Sequence, residues 1–150
     1  LCIADYFLPH TAEQRDVVAF QIVTISEQAA AESRRLFENH AYQDYFFWHG
    51  FSVSLAEALA EFWHQQIRRE LNIHQHDAKD LKKILAGHYQ GARYSFGYPA
   101  CPQLSDQSKL FQLLKPEEIG VKLTEEFQLV PEQSTSALIV HHPQASYFKI

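Results

Sequence analysis

The chain has little cysteine, little basic charge and no long apolar run. Its two cysteines, Cys2 and Cys101, cannot build a disulfide framework in 150 residues, so a reducing, cytoplasmic compartment is expected. No apolar stretch approaches the roughly 18 residues of a membrane span, and no secretory signal pattern is present. A membrane partner is therefore not expected. Lysine and arginine number 13 against 18 aspartates and glutamates, a formal charge of −5. That balance argues against a nucleic-acid partner, which would select a basic patch. The one cationic cluster, Arg68 and Arg69 with Lys79, Lys82 and Lys83, is interleaved with Glu70, Asp77 and Asp80. It reads as a solvated helix surface.

Catalytic signatures are equally scarce. Neither GxGxxG nor GxxxxGK[ST] occurs, which removes the two commonest phosphate-binding loops. No cysteine pair has zinc spacing and no serine sits on a nucleophile elbow. Of the nine histidines, His74 with His76 and His141 with His142 are the obvious pairs. Neither has the i, i+4 spacing of a helical metal site, and adjacent strand residues point to opposite faces. Surface histidines and no metal site are expected.

Apolar residues make up 46% of the chain, which suits a globular protein. A single domain of this length buries about 68–70% of the surface its unfolded chain exposes, enough for a core without staples. "DVVAFQIVT" (16–24) reads as a buried strand. "SEQAAAESRRLFEN" (26–39) reads as a helix with Ser26 as N-cap, followed by a longer helix over about 41–71. On that second helix the 100° periodicity gathers Leu55, Ala58, Leu59, Phe62 and Trp63 on one face. Glu57, Glu61, His64 and Arg68 fall on the other, read as a solvated polar side. A short helix is expected over 77–87 with Gly87 at its C-terminal end, a loop over 88–104, and a helix over 105–114 with Ser105 as N-cap. The last third alternates, giving strands over 121–130 and 136–142 and a final strand "SYFKI". Short turns between consecutive strands favour antiparallel pairing. Because strands and helices segregate, the class is α+β.

Few residues offer chemistry. Strand parity places Glu125 on the apolar face of 121–130, where a carboxylate must be paired or must border a cavity, unless a local β-bulge exposes it. Arg93 opens the stretch "RYSFGYPACP" (93–102), which holds two prolines, a glycine and three aromatic rings. Such a stretch suits neither a regular helix nor a regular strand, so Arg93 is expected in a loop. The guanidinium offers a planar, permanently charged fork for a carboxylate or phosphate. Gly97 permits close backbone approach, while Pro99 and Pro102 stiffen the chain. A rigid surface turn and a preformed ligand cradle are both open on these residues alone.

"YQGARYSFGYPACP" (89–102) resembles the signature of the C-terminal activation domain of cobalamin-dependent methionine synthase. "CIADYF", "SLAEALAEFWHQQIRREL" (54–71) and "GVKLTEEFQLVPEQSTSALIVHHPQASYF" (120–148) resemble the same family in the same order, so the likeness covers the whole chain. It implies a twisted antiparallel sheet flanked by helices, bent into a C shape, with S-adenosylmethionine on its inner surface. It also implies a reactivation role, in which cob(II)alamin on a neighbouring domain is reductively methylated. Flavodoxin or a related reductase would supply the electron, and zinc would belong only to other domains of the parent enzyme.

Carried over by position, the S-adenosylmethionine site would comprise Arg93, Tyr147, Phe148, Glu57, Ser95 and Gly97. Tyr98, Pro99 and Ala100 would lie near the cobalamin. No catalytic acid or base is implied, because the sulfonium already makes the methyl electrophilic. The chain reads "YSF" between Arg93 and Gly97 where many members read "PAP". It begins at Leu1 without methionine and ends in strand-like residues, so 1–150 is expected to be one S-adenosylmethionine-binding activation domain cut at both ends. The alternative is a stand-alone, non-catalytic module that binds S-adenosylmethionine or a cobalamin-carrying partner.

Overall fold

In chain order the elements are β1 (Ala19–Thr24), α1 (Glu27–Glu38), α2 (Tyr42–Glu70), α3 (Leu81–Leu85), β2 (Ala92–Tyr94), α4 (Gln107–Leu114), β3 (Lys122–Leu123), β4 (Leu129–Val130) and β5 (Ser134–Val140). They come from a computed structural model that describes residues 2–146. One sheet has the order β1-β5-β2, and β3 pairs with β4 in a separate hairpin. β2 runs antiparallel to β5, with Ala92, Arg93 and Tyr94 opposite Val140, Ile139 and Leu138. The α+β class and the antiparallel pairing are as expected. The order differs: among the described residues β5 pairs with β1 and β2, which are distant in sequence, rather than with the 121–130 stretch that precedes it.

Helix ends follow local chemistry. Ser26 caps α1 by accepting from the Ala29 N–H at 3.2 Å. Both long helices stop at a left-handed residue, His40 and Asn72, each at φ 58°. Beyond α2, the Asn72 and Ile73 amides donate to the Arg69 and Arg68 carbonyls, each at 3.0 Å. This pattern satisfies carbonyls that the helix leaves orphaned.

Several expected elements differ. β1 starts only at Ala19, and Val17 and Val18 are exposed. The helix expected over 77–87 shrinks to α3, because the Asp80 carboxylate caps the Lys83 N–H at 3.2 Å. Ser105 does not cap α4; it lies in a 3-10 turn, and its carbonyl accepts from the Ser108 hydroxyl at 2.7 Å. The stretch 121–130 is not one strand. Thr124 Oγ1 accepts from the Glu126 and Gln128 amides, each at 3.2 Å, and Phe127 adopts φ 63°. A threonine that bonds its own neighbouring backbone turns the chain, and the alternation runs on through the turn. Glu125 therefore sits exposed in that turn instead of facing a core or cavity. Of the final strand expected at "SYFKI", the residues after Ser146 lie outside the described residues.

The chain divides into two compact units. The first takes residues up to Gln21, then Glu61–Pro102, then Ala137 onward. Its apolar cluster contains Tyr6, Ala92, Tyr94, Val140 and Ala145, with Ala100, Cys101 and Leu138 packed against it. The second takes Ile22–Ala60 and Gln103–Ser136. There the Gln107 side chain donates to the Phe127 carbonyl and accepts from the Ser136 hydroxyl, both at 2.7 Å. The Trp48 indole N–H donates to the Ala29 carbonyl at 2.9 Å. Among the described residues no helix is long and apolar enough to cross a membrane.

Candidate functional site

Arg93 occupies the middle of β2, not an irregular loop. The two residues that flank it in the strand, Ala92 and Tyr94, are buried on one face of the sheet. Alternation therefore sends the Arg93 side chain to the other face. Entry to the strand depends on Gly91, at φ +91°, where an added Cβ would stand 2.5 Å from the Val140 carbonyl oxygen. Only glycine fits that approach. After β2 the chain turns tightly: the Gly97 N–H donates to the Cys101 carbonyl at 2.8 Å, and the Cys101 N–H donates to the Tyr98 carbonyl at 2.9 Å. Gly97 takes φ 84° there. The irregularity expected of "RYSFGYPACP" thus begins after Tyr94, because strand pairing with β5 supplies hydrogen bonds that composition does not reveal.

On the face that Arg93 enters, the second half of α2 brings a charged cluster. Glu61 holds two arginines. One carboxylate oxygen lies 3.2 Å from Arg68 Nη2 and the other 3.4 Å from Arg93 Nη2. The second oxygen also accepts from the Tyr89 hydroxyl at 3.1 Å. Behind Arg68 the Asp77 carboxylate accepts from Nε at 2.9 and 3.1 Å. The Arg68 guanidinium lies 3.8 Å from the centre of the Tyr89 ring, within cation–π range. Two cations face two carboxylates, so the cluster is formally neutral. That balance is what permits Arg68 to be only 1% exposed, since an unpaired buried charge would cost several kcal/mol.

His64 completes the cluster and is fully buried at 0% exposure. Its ring meets Tyr89 edge to face at 4.9 Å, and among the described residues neither ring nitrogen has a hydrogen-bond partner. Burial, reinforced by the Arg68 and Arg93 guanidinium charges, lowers its pKa to about 3. It is a neutral imidazole at physiological pH. Burial, with the Glu61 charge, raises the Tyr89 hydroxyl to about 12, so Tyr89 stays a donor. Burial also pushes the Tyr94 hydroxyl up; it donates to the Ser146 carbonyl at 2.9 Å.

The arrangement overturns the polarity assigned to α2. Glu61, His64 and Arg68 form its buried side, while Phe62 and Trp63 are 57% and 47% exposed. Ser52, Ala56 and Ala60 continue the buried side toward the helix start. Small residues at i, i+4 spacing let a helix approach its neighbours closely, which a count of bulky apolar residues does not register. Likewise Arg68 is not part of a solvated cationic surface, although Arg69, Lys79, Lys82 and Lys83 are exposed.

Of the residues expected to bind ligand, Arg93 retains partial access, its side chain being 21% exposed. Ser95 is half-buried and Gly97 exposed in the following turn. Tyr98 and Pro99 are exposed, and Ala100 packs against the first unit's apolar cluster. Glu57 is exposed on α2, in the part that belongs to the second unit. Tyr147 and Phe148 lie outside the described residues. Asp77 and Tyr89 were not singled out from the sequence. Among the described residues no group of three His, Cys, Asp or Glu side chains converges as metal ligands would, and neither cysteine is in a disulfide.

Residues 1–150 match the family described as "Vitamin B12 dependent methionine synthase, activation domain". The methionine synthase of Mycobacterium tuberculosis is 45% identical over 160 residues, covering 100% of this chain and 13% of that protein. The methionine synthase of Mycobacterium leprae is 44% identical with the same coverage. The chain thus spans about an eighth of these relatives, from the 13% coverage. Among solved structures, the MetH reactivation domain bound to AdoHcy is similar with a TM-score of 0.89 and 27% identity. That match covers 98% of this chain and 46% of the other.

Proposed function

The chain belongs to the activation-domain family of vitamin B12-dependent methionine synthase, and from that membership we propose that it binds S-adenosylmethionine for reactivation of such an enzyme. The 150 residues act as an S-adenosylmethionine-binding piece of a larger methyltransferase that makes methionine. Cobalamin, carried on a neighbouring domain of the same polypeptide, is the methyl acceptor. One electron from flavodoxin or a related reductase would bring that cobalamin to the state that supplies the nucleophilic electron pair. This chain would hold S-adenosylmethionine so that its methyl passes to that pair, while the sulfur keeps the old bonding pair and S-adenosylhomocysteine leaves. Zinc, where the parent enzyme uses it, belongs to other domains, and the enzyme works in the cytoplasm.

The observation that carries this reading is Arg93: an arginine whose side chain is 21% exposed and whose guanidinium is paired with the Glu61 carboxylate. A cation so held suits the α-carboxylate of the ligand, through paired N–H donors that a lysine would not offer. Ser95 and Gly97, in the adjoining turn, are candidates for backbone contacts, and Glu57, Tyr147 and Phe148 for further ligand contacts. Tyr98, Pro99 and Ala100 are assigned to the cobalamin side. The protein's task is to bind and orient; the sulfonium needs no acid or base.

Calorimetry with S-adenosylmethionine on the full-length polypeptide tests the reading. Saturable binding is expected, and Arg93→Ala should weaken it by about 2–5 kcal/mol, the cost of losing a charge-assisted contact. Absence of saturable binding, or an Arg93→Ala variant that binds like the parent, overturns the assignment.

A further inference from the structure

We propose that Glu61 is a positioning residue for Arg93, fixing the guanidinium in the orientation in which it meets the carboxylate end of an amino-acid ligand. The inference rests on the S-adenosylmethionine reading above and names the group behind its anchor. Arginine at the centre of a three-residue strand has a fixed backbone but a long side chain, and rotamer freedom must be removed before it can present a defined fork. Glu61 removes part of it, with one oxygen 3.4 Å from Arg93 Nη2.

Glu61 is itself prevented from turning away. Its other oxygen is 3.2 Å from Arg68, and the Tyr89 hydroxyl donates at 3.1 Å to the oxygen that faces Arg93. Arg68 in turn is clasped by Asp77 and by the Tyr89 ring. The relay Asp77–Arg68–Glu61–Arg93 therefore runs from a buried, doubly held arginine to one whose side chain is partly exposed. The two arginines differ accordingly: Arg68 is closed off as structure, while Arg93 keeps 21% of its side chain accessible. Glu61 also sits on α2 one helical turn after Glu57, so the two carboxylates have separate duties. Glu57 is exposed, and Glu61 is buried and committed to arginines.

A positioning residue acts through its partner, and a double-mutant cycle reads that dependence. Binding of S-adenosylmethionine to the full-length polypeptide is measured by calorimetry for the parent, Arg93→Ala, Glu61→Gln and the double variant, with melting temperature recorded alongside. Glu61→Gln keeps the side-chain shape and removes the charge; it should weaken binding at least tenfold in the parent and less than twofold in the Arg93→Ala background. Should Glu61→Gln fail to fold, Tyr89→Phe, which deletes one hydrogen bond to the same oxygen, replaces it. That variant should weaken binding about threefold in the parent and not at all beside Arg93→Ala. Unchanged affinity in Glu61→Gln (or in Tyr89→Phe as its replacement), or effects that multiply with Arg93→Ala, overturns the positioning role while leaving the S-adenosylmethionine reading intact. Loss of binding in no variant, Arg93→Ala included, or none in the parent, overturns that reading and this inference together.

Discussion

The two sides of α2 make an instructive pair. In its second half the charged side, Glu61, His64 and Arg68, is buried, while Phe62 and Trp63 face outward. The first half repeats the contrast, with Ser52 and Ala56 buried and Phe47, Phe51 and Leu55 exposed. A helix normally turns its bulky apolar stripe inward. Here neutralised charges and small residues occupy the interior, and the aromatic side is open. The lesson is that burial follows what a side chain can be paired with, as well as how hydrophobic it is. Glu61 and Asp77 around Arg68 make a guanidinium acceptable in a place where it would otherwise be excluded.

Breaking the buried side should have the largest effect. Arg68→Ala leaves Asp77 without its arginine and Glu61 with Arg93 as its remaining cation, and should destabilise the fold by about 3–5 kcal/mol, read as a shift in the urea midpoint. An unchanged midpoint would mean the cluster contributes nothing to the interior. Acid should act next. His64 stays neutral in the folded protein down to about pH 3, whereas the unfolded chain takes up a proton near pH 6.5. Between those values the unfolded state binds more protons. Stability is fully present above the unfolded value and falls as pH drops toward 3, by about 1.4 kcal/mol per unit from this group. Replacing His64 with phenylalanine should flatten that part of the pH profile.

Gly91→Ala comes third. Its Cβ would collide with the Val140 carbonyl and its φ would be strained, for a loss of more than about 1 kcal/mol. Circular dichroism melts would detect it. The smallest effect belongs to the open side of α2: Phe62→Ser should change stability by no more than about 0.5 kcal/mol. A loss as large as that of Arg68→Ala would show that the aromatic side is covered in solution, and the contrast between the two sides would disappear.

Much was legible beforehand. The α+β class, both long helices, the Ser26 cap and the antiparallel habit follow from periodicity and local capping chemistry. Arg93 stood out because a lone cation beside glycine and proline is conspicuous in a linear string. Its strand context did not stand out, since β2 is three residues long and its partner β5 lies more than forty positions away. The same limit hid the turn at Thr124, where a hydroxyl bonding two amides competes with an alternating pattern. Glu61, His64 and Arg68 are visible as a stripe, and periodicity alone sends that stripe to solvent. Asp77 and Tyr89, the partners that bring it indoors, come from loops whose sequence carries no trace of that role.

By itself, then, the order of residues determined which segments coil or extend, where helices start and stop, and which motif marks the family. Those properties depend on neighbours within a few positions. Tertiary structure alone decided which side of α2 is interior, that Arg68 is enclosed and Arg93 accessible, and that one carboxylate joins them. Those properties depend on charge pairing between distant segments, whose strength is set by the surroundings that folding creates.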